Sequence, residues 1–377
     1  MVVSLKVAIN TRLLLPGRLE GIGWFTYQTF KRIALNHPEV EFHFIFDRPY
    51  HQEFVFSDNI KPVVLFPQAR HPILYYLFFE KALPAYFNKI KPDLFISPDG
   101  MLSLSWDGPQ IPVFHDLNFI HNPDYLPWLS SKYYRARFPR FAGKACRIAT
   151  VSEYSRADIA KTFAYPSDKI EVVYNGVNEA FKPVSAAVAE ETRREFTGGC
   201  PYFVYVGSLH KRKNIDNMLL AFEAFKKTDK EKHKLVIIGE HMFGSNGLQK
   251  LLNSMAFMDD VLFVGRLYNH QLSRVVGSSQ ALLLVSFFEG FGIPIIEAMH
   301  SEVPVISSNV TSMPEVAGNA ALLVDPHQVG QITRAMQDIV GDQKLRNQLV
   351  ENGKVVRERF SWDKTALRMW DCMSHCL

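Results

Sequence analysis

Short apolar runs alternate with amphipathic stretches along most of the chain. In the first half, the apolar runs predict buried strands at residues 6–10, 41–46, 61–66, 93–97, 111–115, 147–151 and 169–173. Apolar residues at helical spacing predict helices at residues 21–36 and 73–89, and Pro84 can interrupt the second of these. Alternating strands and helices are typical of a parallel sheet with helices on both faces.

The same alternation restarts after a polar stretch at residues 178–199 that predicts a linker and one helix. Strands are predicted at residues 202–206, 234–238, 261–264, 281–285 and 303–307, and helices at residues 215–227, 247–255, 272–277, 293–300 and 329–341. The remaining residues, from 343 onward, have a helical pattern. The sequence therefore predicts an α/β protein with two doubly wound domains, residues 1–180 and 181–358, followed by a C-terminal helix within residues 359–377.

Composition and charge narrow the class of protein. The chain of 377 residues is 47% hydrophobic and 21% charged, as in soluble globular proteins. Its net charge of +4 permits attraction to phosphates or anionic lipid heads but does not indicate a nucleic-acid partner. The sequence lacks an apolar stretch of about eighteen residues that would span a membrane. Because a strand-like run begins near the N-terminus, we expect no signal peptide and a cytoplasmic protein.

The four cysteines indicate neither a zinc site nor a disulfide framework. Cys372 and Cys376 lie four residues apart with His375 between them, which is a weak metal-binding pattern. Free thiols, with Cys146 and Cys200 as the other two, are the favoured interpretation in a reducing compartment. We therefore expect no metal and no bound cofactor.

Most of the unusual polar clusters follow predicted strands, where open α/β sheets bind ligands. Gly21 and Gly23 begin the first helix and could approach a phosphate closely. With Asp47 after the second strand they also suggest a dinucleotide fingerprint, although the glycines lie about ten residues past the strand. The alternative is that these glycines only allow the chain to turn in a loop.

Two further clusters in the first half have both a functional and a structural interpretation. His115 and Asp116 end a strand, where the histidine could act as a general base or bind a substrate hydroxyl. Alternatively the histidine is hydrogen-bonded within its domain and Asp116 caps the next turn. Ser152 is a plausible helix N-cap, and its hydroxyl could also face a ligand.

The second half supplies the cationic and acidic candidates. Gly207 and Ser208 end a strand and are followed by three basic residues before a helix, a good cradle for a diphosphate. A solvated basic turn is the alternative. Glu289 and Glu297 flank a glycine-rich turn, and Pro294 can begin the helix that carries Glu297. We interpret these acids as ligand contacts; the alternative is that one binds turn amides and the other is a solvated helix residue.

Taken together these residues resemble the family 4 retaining glycosyltransferases. The run from Glu289 to Glu297 reads Glu-Gly-Phe-Gly-Ile-Pro-Ile-Ile-Glu and matches the Glu-x7-Glu signature of that family. Four other segments occur in the order found in that family, namely His115-Asp116, Asn175-Gly176-Val177, Val206-Gly207-Ser208 and residues 307–318. The resemblance covers nearly the whole chain. It implies the GT-B architecture, in which two Rossmann-like domains face each other across a cleft and the C-terminal helix crosses back to the first domain.

The resemblance also implies roles for individual side chains. Glu297 would bind the ribose hydroxyls of a nucleotide-sugar, and Glu289 would contact the sugar near its reacting carbon. Arg212 and Lys213 would neutralise the diphosphate without a metal. His115 would lie beside the donor sugar and complete the catalytic group. The remaining donor-binding residues act mainly through backbone, namely Gly23, Gly207, Ser208, Val264, Arg266, Gly290, Phe291, Gly292 and Ile293.

The chain departs from many relatives at Ser208, where they have an arginine, so the cationic role falls on Arg212 and Lys213. No enzymic nucleophile is evident, which favours front-face transfer with retention. The pattern looks most like the mannosyltransferase branch and implies GDP-mannose as donor in cell-surface polysaccharide synthesis. A glycan or lipid-linked acceptor would bind first-domain loops around residues 119–137, whose basic and aromatic residues could rest on the inner face of a membrane. An ordinary aromatic core is the alternative for that segment.

Other classes remain open at this point. A nucleotide-sugar epimerase or hydrolase could use the same architecture, and it would turn over the donor without an acceptor. A non-enzymatic two-domain sugar-binding protein should lack a diphosphate cradle. An NAD-dependent oxidoreductase conflicts with the displaced glycines.

Overall fold

The computed structural model describes residues 5–240 and 246–377 and divides the chain into two compact units. Unit 1 comprises Met1–Gly176 together with Ser361–Leu377, and unit 2 comprises Val177–Phe360. The sequence predicts the corresponding boundaries at residues 180 and 358. Among the described residues, no helix combines the length and the apolar character needed to cross a bilayer.

Unit 1 is built on a seven-stranded parallel sheet in the order β3-β2-β1-β4-β5-β6-β7. Its strands are β1 (Lys6–Asn10), β2 (Glu41–Phe46), β3 (Ile60–Val64), β4 (Leu94–Ser97), β5 (Gln110–Phe114), β6 (Ile148–Thr150) and β7 (Ile170–Val172). Its first six helices are α1 (Gly21–Asn36), α2 (Pro72–Leu77), α3 (Leu83–Ile90), α4 (Asn118–His121), α5 (Trp128–Lys144) and α6 (Glu153–Phe163). The central strands β4 and β5 are buried along their whole length, as expected for a sheet covered on both faces.

The helix predicted at residues 73–89 is interrupted. Helix α2 continues into a five-residue π-helical turn, Phe78–Ala82, before α3 begins. Pro84 lacks the N–H that would bond to the carbonyl of Glu80, so the regular hydrogen-bond ladder cannot continue through the turn. The Glu80 carboxylate is buried there and accepts hydrogen bonds from the backbone N–H groups of Leu104 and Ser105, at 3.2 and 2.9 Å.

Helix α5 corrects the interpretation of residues 119–137 as binding loops, because most of that segment is helical. A start signal is missing before this helix, since the N-cap is Pro127 and no side chain caps the helix. The helix is held by packing instead: Phe138 and Phe141 are buried in the apolar cluster beneath α2. This tertiary contact decides a segment that local signals leave undetermined.

The C-terminal helix, Trp362–Ser374, belongs to unit 1 and packs on α1. The Asp363 carboxylate accepts a hydrogen bond from Arg32 at 2.6 Å, and the rings of Trp370 and His37 stack at 3.5 Å. A Cβ atom on Gly176 would lie 2.3 Å from the backbone nitrogen of Trp362, so this close approach requires glycine. The contact gives a structural reason for the Asn-Gly-Val segment of the sequence.

The expectation of four free thiols is wrong. Cys146 and Cys376 form a disulfide with their Cα atoms 6.3 Å apart, whereas Cys200 and Cys372 are free. The two bonded residues are 230 positions apart, and spacing along a sequence cannot reveal such a pair. The bond also removes Cys376 from the weak metal-binding pattern with Cys372.

Unit 2 carries a six-stranded parallel sheet in the order β10-β9-β8-β11-β12-β13. Its strands are β8 (Tyr202–Val206), β9 (Lys234–Ile238), β10 (Val261–Gly265), β11 (Ala281–Leu284), β12 (Val305–Ser308) and β13 (Ala321–Val324). Its helices are α7 (Ala186–Thr197), α8 (Ile215–Lys226), α9 (Asn246–Ser254), α10 (Asn269–Gly277), α11 (Ile293–His300), α12 (Met313–Ala317), α13 (Val329–Gly341) and α14 (Gln343–Val356). The two doubly wound units confirm the predicted α/β fold class.

Candidate active site

The carboxyl edge of the unit 2 sheet brings the strand ends of β8 and β9 into close contact. The N–H of Gly207 donates to the carbonyl of Ile238 at 2.9 Å. A Cβ atom on Gly239 would lie 1.9 Å from the carbonyl oxygen of Gly207, and Gly239 has a φ of 152°. No other residue fits at this crossing, so the backbone after β8 is fixed in position. Ser208 follows and is half-buried.

A short 3₁₀ turn, Lys211–Lys213, connects β8 to α8 and places two cations beside the sheet edge. His210 begins the turn, where its Nδ1 accepts a hydrogen bond from the N–H of Arg212 at 3.2 Å. Asn214 ends the turn with a left-handed φ of 58°, and its side-chain amide donates to the carbonyl of Val285 at 2.9 Å. The turn is thereby attached to the end of β11, the neighbouring strand.

The loop after β11 brings an acid to these cations. The Arg212 guanidinium contacts Glu289 Oε2 at 2.7 Å, and the Lys213 ammonium forms a very short ion pair with Glu289 Oε1. The Ser286 hydroxyl also donates to Glu289 Oε1, at 2.8 Å. Lys213 and Glu289 are only 9% and 6% exposed. We call Arg212, Lys213 and Glu289 the charge cluster.

The charge cluster keeps its acid ionised. Burial alone would raise the pKa of Glu289, but the charges and hydrogen bonds of Arg212 and Lys213 outweigh it and lower the pKa to about 2. Two cations and one anion leave a net charge of +1 on the described side chains of the cluster. Such a site attracts an anion and can stabilise charge that develops on one during a reaction.

The glycine-rich turn after Glu289 is fixed by hydroxyl groups from the next loop. The Ser312 hydroxyl donates to the carbonyls of Glu289 and Phe291 at 2.9 and 3.2 Å, and the N–H of Glu289 contacts Thr311 Oγ1 at 3.3 Å. Gly292 has a φ of 98° and precedes α11, which has proline in its first turn. The predicted residues from Gly290 to Ile293 therefore form one ordered, mostly buried segment.

Glu297 lies on α11 and is half-buried. Burial raises its pKa to about 8, so the carboxyl is mainly protonated near neutral pH. This state differs from that of Glu289, although both acids come from the same motif. A carboxyl held in this way can exchange its proton for hydrogen bonds from ligand hydroxyls.

Glu297→Gln is expected to stabilise unit 2 at alkaline pH. Because the pKa of Glu297 rises from 4.5 to about 8 on folding, the folded chain holds a proton between these values that the unfolded chain has lost. The contribution of Glu297 to stability therefore falls as the pH rises through this window. Glutamine avoids that loss, so we expect its Tm to exceed the wild-type value by roughly 4 °C near pH 8.5, an effect of about 1–2 kcal/mol.

Thermal unfolding followed by circular dichroism over a range of pH measures this difference. It should shrink toward zero below about pH 4.5, where both forms of residue 297 are neutral in the folded and unfolded chain. An equal difference at all pH values would contradict the raised pKa, since altered packing alone would explain it.

The residues predicted to receive a nucleobase lie farther along the same sheet edge. Val264 is in β10, and Arg266 follows the strand with its guanidinium 5.8 Å from the ring centre of Tyr268. The N–H of Gly239 donates to the carbonyl of Gly265 at 2.9 Å, which aligns the end of β10 with β9. Strand β9 separates this region from β8 and the charge cluster.

His115 and Asp116, two of the candidates in unit 1, follow strand β5 of the unit 1 sheet. His115 comes directly after β5, its Nε2 donates to the carbonyl of Pro98 at 2.9 Å, and its ring contacts that of Phe25 edge-on at 5.2 Å. Burial lowers the pKa of His115, so its Nδ1 is left as an acceptor. The N–H of Asn118 donates to Asp116 at 2.9 Å. Both contacts agree with the structural alternative for this pair.

Gly23 and Ser152 also have contacts within unit 1. A Cβ atom on Gly23 would lie 3.0 Å from the carbonyl oxygen of Leu13, so this glycine lets α1 pack against the loop before it. The Ser152 hydroxyl accepts a hydrogen bond from the N–H of Ser155 at 3.1 Å, which confirms the predicted cap. A role of either residue toward a ligand remains a prediction.

The structure thus joins three residues that the sequence presents in two separate motifs, Arg212 and Lys213 in one and Glu289 in the other. Sequence reasoning missed the hydroxyl and amide groups that hold them, namely Asn214, Ser286, Thr311 and Ser312. Asn214 directly follows Lys213, Ser286 lies three residues before Glu289, and Thr311 and Ser312 lie in the loop after β12. The available signal was the polar character of these residues in the loops that follow buried strands.

Two family profiles match the chain, one in each half. The profile of Glycosyltransferase Family 4 matches residues 21–181, and that of Glycosyl transferases group 1 matches residues 189–356. The O-antigen chain mannosyltransferase B of Escherichia coli is 29% identical over 257 residues, which cover 67% of each chain. The O-antigen chain mannosyltransferase RfbU of Salmonella typhimurium is 30% identical over 60% of this chain and 59% of its own.

Solved structures share the fold at lower identity. Sucrose-phosphate synthase from Thermosynechococcus elongatus superposes with a TM-score of 0.79 at 19% identity and covers 98% of both chains. WaaG, a glycosyltransferase involved in lipopolysaccharide biosynthesis, superposes with a TM-score of 0.77 at 14% identity and covers 97% of this chain and 98% of its own.

Proposed function

The chain belongs to the family 4 glycosyltransferases of GT-B architecture, and we propose that it transfers mannose from GDP-mannose to a glycan or lipid-linked acceptor in cell-surface polysaccharide synthesis. Two relatives are O-antigen chain mannosyltransferases, and their similarity to this chain supports the sugar and the pathway class. The charge cluster is the observation that carries the chemistry. It offers a pair of fixed cations at the sheet edge where α/β proteins bind ligands.

In this proposal the diphosphate of the donor lies against Arg212 and Lys213. Loss of the nucleoside diphosphate leaves oxocarbenium character on the anomeric carbon and negative charge on the leaving oxygen. The two cations stabilise that charge, so the reaction needs no metal ion. The backbone at Gly207 and Ser208 approaches the diphosphate closely in this proposal. Gly239 packs against the carbonyl of Gly207 and so holds that backbone in position.

The remaining donor contacts follow from the same placement. Glu297 accepts hydrogen bonds from the ribose hydroxyls, and ribose binding favours its ionised form over the protonated one. The backbone at Val264 and Arg266 receives the base. The ordered segment from Gly290 to Ile293 provides amides for the sugar or the phosphate. For unit 1, the family resemblance implies that Gly23 approaches a phosphate and that His115 accepts a hydrogen bond from a sugar hydroxyl at Nδ1, which its contact with Pro98 leaves available.

Retention of anomeric configuration by front-face transfer is the mechanism that the charge cluster favours. A nucleophile in a double displacement must present a free carboxylate oxygen to the anomeric carbon. Both oxygens of Glu289 accept contacts from Arg212, Lys213 or Ser286, and its pKa of about 2 marks a weak base. The leaving phosphate oxygen therefore accepts the proton of the acceptor hydroxyl, while the new glycosidic bond forms on the same face of the sugar.

Incubation with radiolabelled GDP-mannose tests the reaction directly. We expect label to enter an extractable glycolipid only when a membrane lipid extract is supplied, at the same rate with and without EDTA. Release of free mannose at full rate without acceptor would favour the hydrolase or epimerase alternative. Donor binding without any turnover over a range of acceptors would favour a sugar-binding protein. An α-linked product would support retention, because the sugar of GDP-mannose is α-linked. The one-bond C1–H1 coupling in the NMR spectrum of the product distinguishes the two anomers of mannose.

A further inference from the structure

A network of polar side chains crosses the carboxyl edge of the unit 1 sheet. Asn10 ends β1, Ser97 ends β4 and His115 follows β5, and these three strands are neighbours in the sheet. Their carboxyl ends therefore meet at the edge where α/β sheets bind ligands. Two charged residues, Arg12 after β1 and Asp99 after β4, lie at the centre of the network. The family resemblance gives neither of them a role.

Arg12 and Asp99 form a buried ion pair. The Arg12 guanidinium donates through Nε to Asp99 Oδ2, and the two side chains are 8% and 4% exposed. A second guanidinium nitrogen donates to the carbonyl of Ala69 at 2.7 Å, and the guanidinium carbon lies 5.3 Å from the ring centre of Tyr75. Burying two charges costs free energy that their attraction often does not recover, so stability is a weak reason for such a pair. Its contacts with the strand ends point to a different role.

Asp99 fixes the turn that follows β4. Its Oδ1 accepts hydrogen bonds from the Ser97 hydroxyl at 2.9 Å and from the N–H of Met101 at 3.2 Å. The Ser97 oxygen also accepts a hydrogen bond from the side-chain amide of Asn10 at 3.0 Å, which joins the turn to β1. Pro98 lies between these points of attachment, so its carbonyl is held in one direction.

The Pro98 carbonyl sets the tautomer of His115. Burial lowers the pKa of His115, which keeps the ring neutral. The carbonyl lies 2.9 Å from Nε2, and since a carbonyl can only accept, the hydrogen of the neutral ring is on Nε2. Nδ1 then has its lone pair as an acceptor for a hydroxyl group. The edge-on contact with Phe25 at 5.2 Å holds the plane of the ring.

We propose that Asp99 and Arg12 are positioning residues for sugar transfer, because through the Pro98 carbonyl they hold His115 with Nδ1 as an acceptor toward the donor sugar. The inference rests on the proposed function for the role of His115 toward a sugar, whereas the positioning itself needs no substrate. Direct contact of Asp99 with a ligand fits less well, because both of its carboxylate oxygens accept hydrogen bonds within unit 1 and the side chain is nearly buried.

Nitrogen NMR of the isotopically labelled full-length chain tests the positioning without substrate. The two ring nitrogens of a neutral imidazole have well-separated shifts that identify the protonated one, and comparison with His115→Gln assigns the signals. We expect His115 of the wild type to show one tautomer, with hydrogen on Nε2. In Asp99→Asn the shifts should move toward the average of two tautomers. A carboxamide has one acceptor atom, so it cannot accept from Arg12 and from the turn together.

Two changes at Arg12 provide an independent test. Arg12→Gln should also shift the signals of His115, because the shorter amide cannot reach both Asp99 and the carbonyl of Ala69. Arg12→Lys keeps a cation beside Asp99 and should retain most of the wild-type signal. Glu80→Gln is the matched control, since Glu80 is another buried acid of unit 1 that accepts backbone hydrogen bonds in a different loop. It should leave both the tautomer and the transfer rate unchanged.

Steady-state kinetics connects the positioning to transfer. Asp99→Asn should lower kcat by roughly tenfold, the scale of one hydrogen bond, with little change in the KM for GDP-mannose. His115→Ala should lower kcat at least as much. Adding Asp99→Asn to His115→Ala should cause no further loss, because the aspartate acts through that ring.

The outcomes separate this proposal from the proposed function. An unchanged His115 tautomer in both Asp99→Asn and Arg12→Gln would overturn the proposal. Rate losses of Asp99→Asn and His115→Ala that add in the double variant would also overturn it, since they would show a purely structural effect of Asp99. Absence of sugar transfer by the wild type, together with the expected tautomer shifts, would support the positioning of His115 and reject the proposed function instead.

Discussion

Lys213→Ala is expected to lower kcat for sugar transfer by about 10²-fold or more, on the scale of losing one charge-stabilising donor. The Lys213 ammonium is nearly buried, and Glu289 together with the 3₁₀ turn holds it in place. It therefore needs no reorganisation when negative charge develops on the leaving diphosphate. Steady-state rates with GDP-mannose and the extracted acceptor measure the loss.

Lys211→Ala is the matched control, because Lys211 lies in the same turn but is exposed. It removes an equal charge two residues away and should change kcat less than threefold. Lys213→Met keeps the length of the side chain and should match Lys213→Ala in rate. A rate for Lys213→Ala equal to that of the wild type would remove this residue from the site.

Glu289→Gln is expected to lower kcat by roughly 10²–10³-fold while GDP binding is retained or becomes tighter. The substitution removes the negative charge of the cluster and with it the ion pairs that Glu289 forms with Arg212 and Lys213. The bound diphosphate then meets two cations that Glu289 no longer neutralises, so affinity does not fall. The rate falls because the cations lose the geometry that Glu289 imposes. Glu302→Gln, an acid of unit 2 paired with Lys354 at 3.5 Å, is the control and should retain full activity.

The same variant has a characteristic dependence of stability on pH. Since the pKa of Glu289 falls from 4.5 to about 2 on folding, its ion pairs stabilise the protein above about pH 4.5 and are lost as the pH drops toward 2. Removing one member of a buried pair costs on the order of 3 kcal/mol. The Tm of Glu289→Gln should therefore lie below that of the wild type at pH 7, and the gap should narrow in acid.

A glycosyl-enzyme trapped on Glu289 would contradict the front-face mechanism.

Local pattern was sufficient to place most strands and several helices. The predicted bounds of β1, β2, β8, β9, α1, α11 and α13 agree with the structure at both ends. These elements have apolar residues at the period of a buried strand or of a packed helix, so burial and local preference agree. Strand β13 was missed although its four residues are all apolar; it is an edge strand, and Ala321, Leu322 and Leu323 are not fully buried.

Other parts of the fold depend on contacts that a sequence does not display. Helix α5 has no capping signal, and its position comes from Phe138 and Phe141 in the core. The disulfide between Cys146 and Cys376 joins residues 230 positions apart. In each case the deciding interaction is tertiary, so periodicity and local propensity could not reveal it.

The candidate site was also predicted only in part from the sequence. Arg212, Lys213 and Glu289 were each identified from strand-end motifs, because parallel strands present their carboxyl ends on one edge. Their direct ion pairing across 77 and 76 residues was not predicted, and neither was the attachment of Asn214 to Val285. The charges of Arg212 and Lys213 keep Glu289 ionised against the effect of burial, whereas burial without such partners keeps Glu297 mainly protonated.

Calorimetric titration of the purified protein with GDP, with and without EDTA and beside UDP and NAD, tests the central claim most directly. We predict tight GDP binding that EDTA does not weaken and that Glu297→Ala abolishes. Preference for UDP would keep the enzyme class and change the donor. Binding of NAD with no binding of either nucleoside diphosphate would contradict the assignment of the charge cluster to a nucleotide-sugar.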